Sequence, residues 1–167
     1  MTEEYKKILK EGARKAPFTL KFFKWLKKTK PKDLDIVMGD LHSEVFDEID
    51  CLKCANCCAS LGPRITDRDI DKIASHLKRK PSAVVQQYLK IDEDNDYVFT
   101  SMPCPFLGTD KYCHIYSSRP KACAEYPHTD RRRFIQLLDL TIKNSTTCPA
   151  VCIVIEKLAD HYKFKST

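Results

Sequence analysis

Cys51, Cys54, Cys57 and Cys58 place four thiols within eight residues of one another. Steps of three residues bring successive sulfurs to one side of a tight loop, and soft thiolates gathered in this way grip zinc or iron. Iron–sulfur clusters are held by a C-x2-C-x2-C run completed by a distant Cys-Pro, whereas structural zinc sites use a single C-x2-C closed by two further ligands. Distant thiols are present at Cys104, Cys113, Cys123, Cys148 and Cys152, and prolines follow two of them, as Cys104-Pro105 and Cys148-Pro149. Metal ligation is the chemistry these residues predict.

Other uses of cysteine fit less well. Cysteine packs as a small apolar residue in many cores, but four in eight positions exceed what packing asks for. Disulfides conflict with the odd total of nine cysteines and with a start that reads as no secretory signal. A catalytic thiol needs one cysteine and a base rather than a cluster. The reading therefore expects a reducing, cytoplasmic location where thiols stay free for metal.

The composition bounds the scaffold. A chain of 167 residues with 43% hydrophobic and 31% charged residues and only four glycines suits a helix-rich domain with its own core. The apolar run from Ala150 to Ile155 is far too short to cross a membrane. The net charge of +6 is uneven: residues 1–32 hold eleven Lys/Arg against three Glu, leaving the rest close to neutral. The expected division is a basic helical arm over residues 1–32 and a cysteine-cluster domain over 33–167. A nucleic-acid or other polyanion contact would rest on that arm alone. The preferred reading of the arm packs Phe18, Phe22, Trp25 and Leu26 on the protein's own core with the lysines in water. With no thiol or histidine in residues 1–16, their removal is expected to leave metal content unchanged.

The elements that must position the thiols are mostly helical. Periodicity predicts helices near Thr2–Lys10, from Pro17, and over Asp33–Ile49, the last leading directly into the cysteine run. Thr66 and Asp69 form a capping-box signature, and Pro81 opens a further helix to about Leu89. The acidic run Asp92–Asp96 reads as a turn, lacking the glycine and final glutamate of a calcium loop. A strand over Tyr97–Thr100 is expected to pair with Lys111–Ile115 in a small hairpin that presents Cys104 and Cys113. A single turn at Arg119–Ala124 carries Cys123, a helix follows from Arg131 to about Lys143, and Thr147 is expected to cap a C-terminal helix. Cys148 would then sit at that helix's N-terminus, while Cys152 reads as the cysteine least suited to ligation. The fold class is mostly α (α+β): a single helical domain with a small β-hairpin and the metal centre between loops.

With these blocks in view, Cys51-x2-Cys54-x2-Cys57-Cys58 resembles the signature of the CxxCxxCC family of zinc- or iron-chelating domains. Cys104-Pro105-Phe106-Leu107, Cys113-His114-Ile115-Tyr116 and Arg119-Pro120-x-x-Cys123-x-x-Tyr126-Pro127 are similar to its later blocks in the same order. The resemblance runs from about Glu48 to the C-terminal helix. It also implies a distant similarity to the cysteine-cluster region of flagellin lysine methylases, where an iron–sulfur cluster serves methyl transfer. Nothing in this chain identifies a flagellin-binding segment, so that activity is not carried over.

Eight cysteines are candidate ligands: Cys51, Cys54, Cys57, Cys58, Cys104, Cys113, Cys123 and Cys148. They could build two zinc sites, or an iron–sulfur cluster of the 4Fe-4S type, toward which the triple-cysteine spacing tips the choice. The radical-SAM spacing C-x3-C-x2-C is absent. Arg119, His114, Tyr116 and Tyr126 flank the ligand blocks and could hydrogen-bond the ligands or contact a substrate. The favoured function is a cytoplasmic metal- or cluster-binding protein serving redox or group-transfer chemistry. The alternative is a non-enzymatic, zinc-stapled interaction domain with an unidentified protein partner or a polyanion on its arm.

Overall fold

The structure is a computed structural model that describes residues 1–165. In chain order its elements are α1 (Glu3–Arg14), α2 (Ala16–Thr29), α3 (Leu34–Glu48), α4 (Cys51–Cys54), α5 (Asn56–Ser60), α6 (Asp67–Leu77), α7 (Pro81–Tyr88), β1 (Leu89–Ile91), β2 (Tyr97–Phe99), α8 (Lys121–Glu125), α9 (Leu138–Ser145) and α10 (Pro149–His161). Short 3-10 turns cover Tyr116–Ser118 and Phe134–Gln136. The chain is mostly helical with one two-stranded antiparallel sheet, and among the described residues no helix is long and apolar enough to cross a membrane.

The backbone gathers into two compact units, Met1–Cys54 with the chain from Pro127 on, and Ala55–Tyr126. The boundaries between them fall inside the cysteine run and before Pro127. In the first unit α10 packs against α1, α3 and α9. Phe22, Leu26, Val45, Phe134, Leu138, Val151, Val154 and Leu158 are almost wholly buried there, each side chain contributing roughly 1.5–3 kcal/mol of transfer free energy. The aromatic stripe of the basic stretch is part of this core: Phe22 and Phe23 are buried, and Phe18 and Trp25 pack against it. Lysines of the same helix, such as Lys21, Lys24 and Lys28, stay exposed, as amphipathic spacing requires. Pro17 stands in the first turn of α2, and Lys30 ends that helix in a left-handed conformation just before Pro31.

The second unit is built on α6 and α7, with α6 also against the Tyr116–Ser118 turn. Ile70, Ile73, Val84, Leu89, Phe99, Phe106 and Ile115 form its core, and Cys104 and Cys113 pack at its edge. The expected capping box is present, with Thr66 and Asp69 exchanging side-chain and backbone bonds at the start of α6.

The hairpin differs from the expected one. Tyr97–Phe99 pairs with Leu89–Ile91, in the register Leu89 to Phe99 and Ile91 to Tyr97, while the Lys111–Ile115 segment contributes only an isolated bridge between Leu107 and Cys113. The acidic turn explains the choice. The Asp92 carboxylate accepts the N–H groups of Asp94 and Asp96, both at 3.0 Å, and Asn95 takes a positive φ, which closes the chain onto the residues just before it. A short connection costs less closure entropy than the longer one to Lys111. Helix α9 also begins later than the expected Arg131, because Arg133 sits at φ 58 and interrupts the helix before the Phe134–Gln136 turn.

Candidate metal centre

The cysteine run is two helical turns rather than one loop. Cys51–Cys54 forms α4, Asn56–Ser60 forms α5, and Ala55 between them adopts φ 49, a left-handed conformation that few non-glycine residues take. That single residue parts Cys51 and Cys54 from Cys57 and Cys58, and the boundary between the two units falls there.

In the first unit Cys148 is the N-cap residue of α10, with Pro149 as the first helical residue and no side-chain cap; Thr147 does not take the capping role. The Cys148 thiol is pushed up to about 12, chiefly by burial, with the neighbouring Cys51 and Cys54 thiols adding to the rise. Backbone N–H groups of Val151 and Ala150 at the helix start act the other way. Thus Cys51, Cys54 and Cys148 share one neighbourhood. The Asp50 N–H, immediately before Cys51, donates to the hydroxyl of buried Tyr5 at 3.2 Å. Helix α1 carries no thiol or histidine but holds the entry to the thiols, a role invisible in the sequence.

The second unit gathers five thiols. Cys58 reaches across its own unit through its backbone: the Cys104 N–H donates to the Cys58 carbonyl at 3.0 Å. Cys104 is pushed up to about 11 by burial first, and then by the nearby Cys113 and Cys58 thiols. Burial also raises Cys113, with Cys58 adding to the rise and the Arg119 guanidinium opposing it. Cys123 is exposed as a residue, yet its thiol is raised by partial desolvation and then by Cys58, Cys104 and Cys113 together. Cys58, Cys104, Cys113 and Cys123 therefore lie within one another's electrostatic reach. Cys57 stands beside them, its sulfur 4.0 Å from that of Cys58. That contact brings Cys58 down to about 7, toward the thiolate.

Among the described residues no three or more His, Cys, Asp or Glu side chains are drawn into a closed metal-ligand shell. The donor set nonetheless fits a soft metal: all four grouped donors are thiols, and no carboxylate or imidazole need be recruited. Raised thiols keep their protons at neutral pH, so metal binding must expel them and draw the sulfurs together.

Two anchors position the later blocks. The Asp69 carboxylate accepts the Lys121 N–H at 2.9 Å, fixing the start of α8, the turn that carries Cys123. It also accepts from the Thr66 N–H at 3.0 Å and hydroxyl at 2.6 Å. Burial raises this carboxyl, but the three donors outweigh it and hold the group below its ordinary range. Beside Cys113, Nε2 of His76 lies 3.1 Å from the His114 carbonyl oxygen. The capping signature pointed to Asp69, but its reach to Lys121 and the His76 contact carry no local signal.

The flanking residues singled out from sequence divide in their placement. Arg119 lies over the Tyr116 ring at 4.0 Å and donates to the Tyr116 carbonyl at 2.8 Å, so the pair props the turn after Cys113. The His114 side chain lies against Gly108, where a Cβ would collide with it and with Asp110. Tyr126 follows α8 and is half-buried. Cys152 is buried in the first unit, donates to the Ser145 carbonyl at 3.1 Å, and keeps the core role expected of it.

A family model, CxxCxxCC, described as "Putative zinc- or iron-chelating domain", matches residues 50–153. An uncharacterized protein of Methanocaldococcus jannaschii is 33% identical over 84 residues, which is 47% of this chain and 44% of the relative. The chain thus matches less than half of that relative's length. No solved structure matches.

Proposed function

Because the chain belongs to the CxxCxxCC family of zinc- or iron-chelating domains, we propose that its cysteines hold metal in two groups. Cys58, Cys104, Cys113 and Cys123, with Cys57 alongside, would form the principal centre, and Cys51, Cys54 and Cys148 a second group. The observation that carries this reading is the mutual electrostatic reach of four thiols inside one compact unit. Four thiolates are the full complement of either a structural zinc ion or a 4Fe-4S cluster.

Within the principal group the Cys104-Pro105 pair is the feature that favours the iron–sulfur form, while the C-x2-C-x2-C run is divided between the two groups. Such a cluster, when bound, supplies one-electron or group-transfer chemistry. This chain's own residues would then set its surroundings: the Phe106 and Ile115 side chains exclude water from one side, and Arg119 places a positive charge near Cys113. The second reading, a zinc staple, draws on the same four thiols, since they come from one unit and can close a tetrahedron.

Anaerobic purification with iron, zinc and acid-labile sulfide analysis separates the two. Brown protein with iron and sulfide in equal amounts, bleached by dithionite, supports the cluster. Colourless protein with zinc supports the staple. Protein prepared with both metals supplied that binds neither contradicts both.

A further inference from the structure

The first unit carries nineteen Lys/Arg against fourteen Asp/Glu, and three of its lysines pair with carboxylates of other elements. Lys15 bonds Glu156, Lys27 bonds Asp139 and Lys157 bonds Glu44. Lys30, Lys32 and Arg133 line one open cleft of about 230 Å³ with Asp35 and Gln136, and their side chains have no ion-pair partner among the described residues.

The backbone beneath these cations is fixed. Lys30 caps α2 at φ 46, its N–H donating to the Leu26 carbonyl at 2.9 Å, and Pro31 stiffens the next position. Arg133 sits at φ 58, with its N–H donating to one Asp35 oxygen at 2.7 Å while the Phe134 N–H donates to the other at 2.9 Å. The one acidic group lining the cleft is thus engaged by backbone donors, and two of the three cations, Lys30 and Arg133, stand on backbone held by hydrogen bonds.

We infer that this cleft binds a phosphate-class oxyanion, either the free anion or the phosphoryl group of a small phosphomonoester. The three cations less the Asp35 carboxylate leave a charge of +2, which matches a phosphoryl dianion, and the guanidinium of Arg133 offers the forked donor geometry that phosphate oxygens accept in pairs. The volume is below that of a drug-sized ligand pocket, and no aromatic ring lines it to stack a base. The site contains no cysteine and stands whether or not the thiols bind metal.

The test is titration of the purified full chain, followed by amide NMR at Arg133, Phe134 and Gln136, with inorganic phosphate and with glycerol 3-phosphate as separate probes. The expected result is saturable one-to-one binding that weakens about tenfold in Arg133→Gln and in the Lys30→Gln/Lys32→Gln double variant, while Lys24→Gln, on the exposed face of α2, leaves it unchanged. Tighter binding of phosphate assigns the site to the free anion, and tighter binding of glycerol phosphate to a phosphomonoester. Should Arg133→Gln fail to fold, the double variant at exposed lysines carries the test. Shifts that never saturate with either probe, or an equal loss in Lys24→Gln, overturn the inference. So does binding confined to a long single-stranded DNA.

Discussion

The Cys104 N–H donates to the Cys58 carbonyl at 3.0 Å, tying the end of the cysteine-rich run to the first Cys-Pro block. A backbone bond of this kind is independent of which side chain follows, so it sets the approach of the two thiols before any metal arrives. Asp69 does the same for Cys123 through the Lys121 N–H.

Asp69→Asn should therefore lower the stability of the second unit by about 1–3 kcal/mol, the cost of disrupting a buried, charge-assisted network. The sign with pH follows from the lowered carboxyl. A depressed folded pKa means the carboxylate contributes stability above its ordinary titration range and loses it as pH falls through the folded value. Urea unfolding should show wild type and Asp69→Asn well separated at pH 7 and converging in acid. A gap that widens in acid would contradict the assigned role.

Tyr5→Phe keeps the buried ring but removes the acceptor of the Asp50 N–H. We expect a loss of about 1 kcal/mol and faster hydrogen exchange at Asp50. Removal of residues 1–16 should likewise disturb the Cys51–Cys54 turn, although they hold no thiol or histidine. Unchanged exchange at Asp50 in Tyr5→Phe would count against this anchor.

How far the sequence reached depends on the range of the interaction. The Thr66–Asp69 capping box, the aromatic stripe of α2 and the core role of Cys152 were legible because each is set by neighbours within one or two turns. The pairing of Tyr97 was not: the strand was visible, but Leu89–Ile91 reads as the end of α7, and only the closure of the Asp92 turn selects it. Nor could Ala55 be seen as a breakpoint, since alanine favours helix and carries no left-handed signal. The cysteine run therefore reads as one loop in sequence and is two turns in the fold.

Gly12 makes room for Cys152. A Cβ at Gly12 would lie 2.5 Å from the Cys152 sulfur, so Gly12→Ala should destabilise the first unit by about 1–3 kcal/mol. Adding Cys152→Ala should restore part of that loss while metal content stays unchanged. Metal loss in Cys152→Ala alone would show that this thiol is a ligand after all.

Metal binding should be proton-linked. Cys104 and Cys148 are pushed up to about 11 and about 12, so both are protonated at neutral pH and must release protons on ligation. Affinity should rise with pH between about 6 and 9, where thiol deprotonation becomes less costly. Calorimetry in buffers of different ionisation enthalpy should detect the released protons. A pH-independent affinity would argue against thiolate ligation.

The most direct test of the account is metal content per chain, measured on folded Cys58→Ser and Cys123→Ser beside Cys152→Ser. Serine supplies a harder, protonated oxygen that binds zinc and iron poorly. The account predicts that both variants in the second unit lose the metal of the principal centre and that Cys152→Ser retains it. Full metal in Cys58→Ser and Cys123→Ser would contradict the claim that these four thiols form the centre.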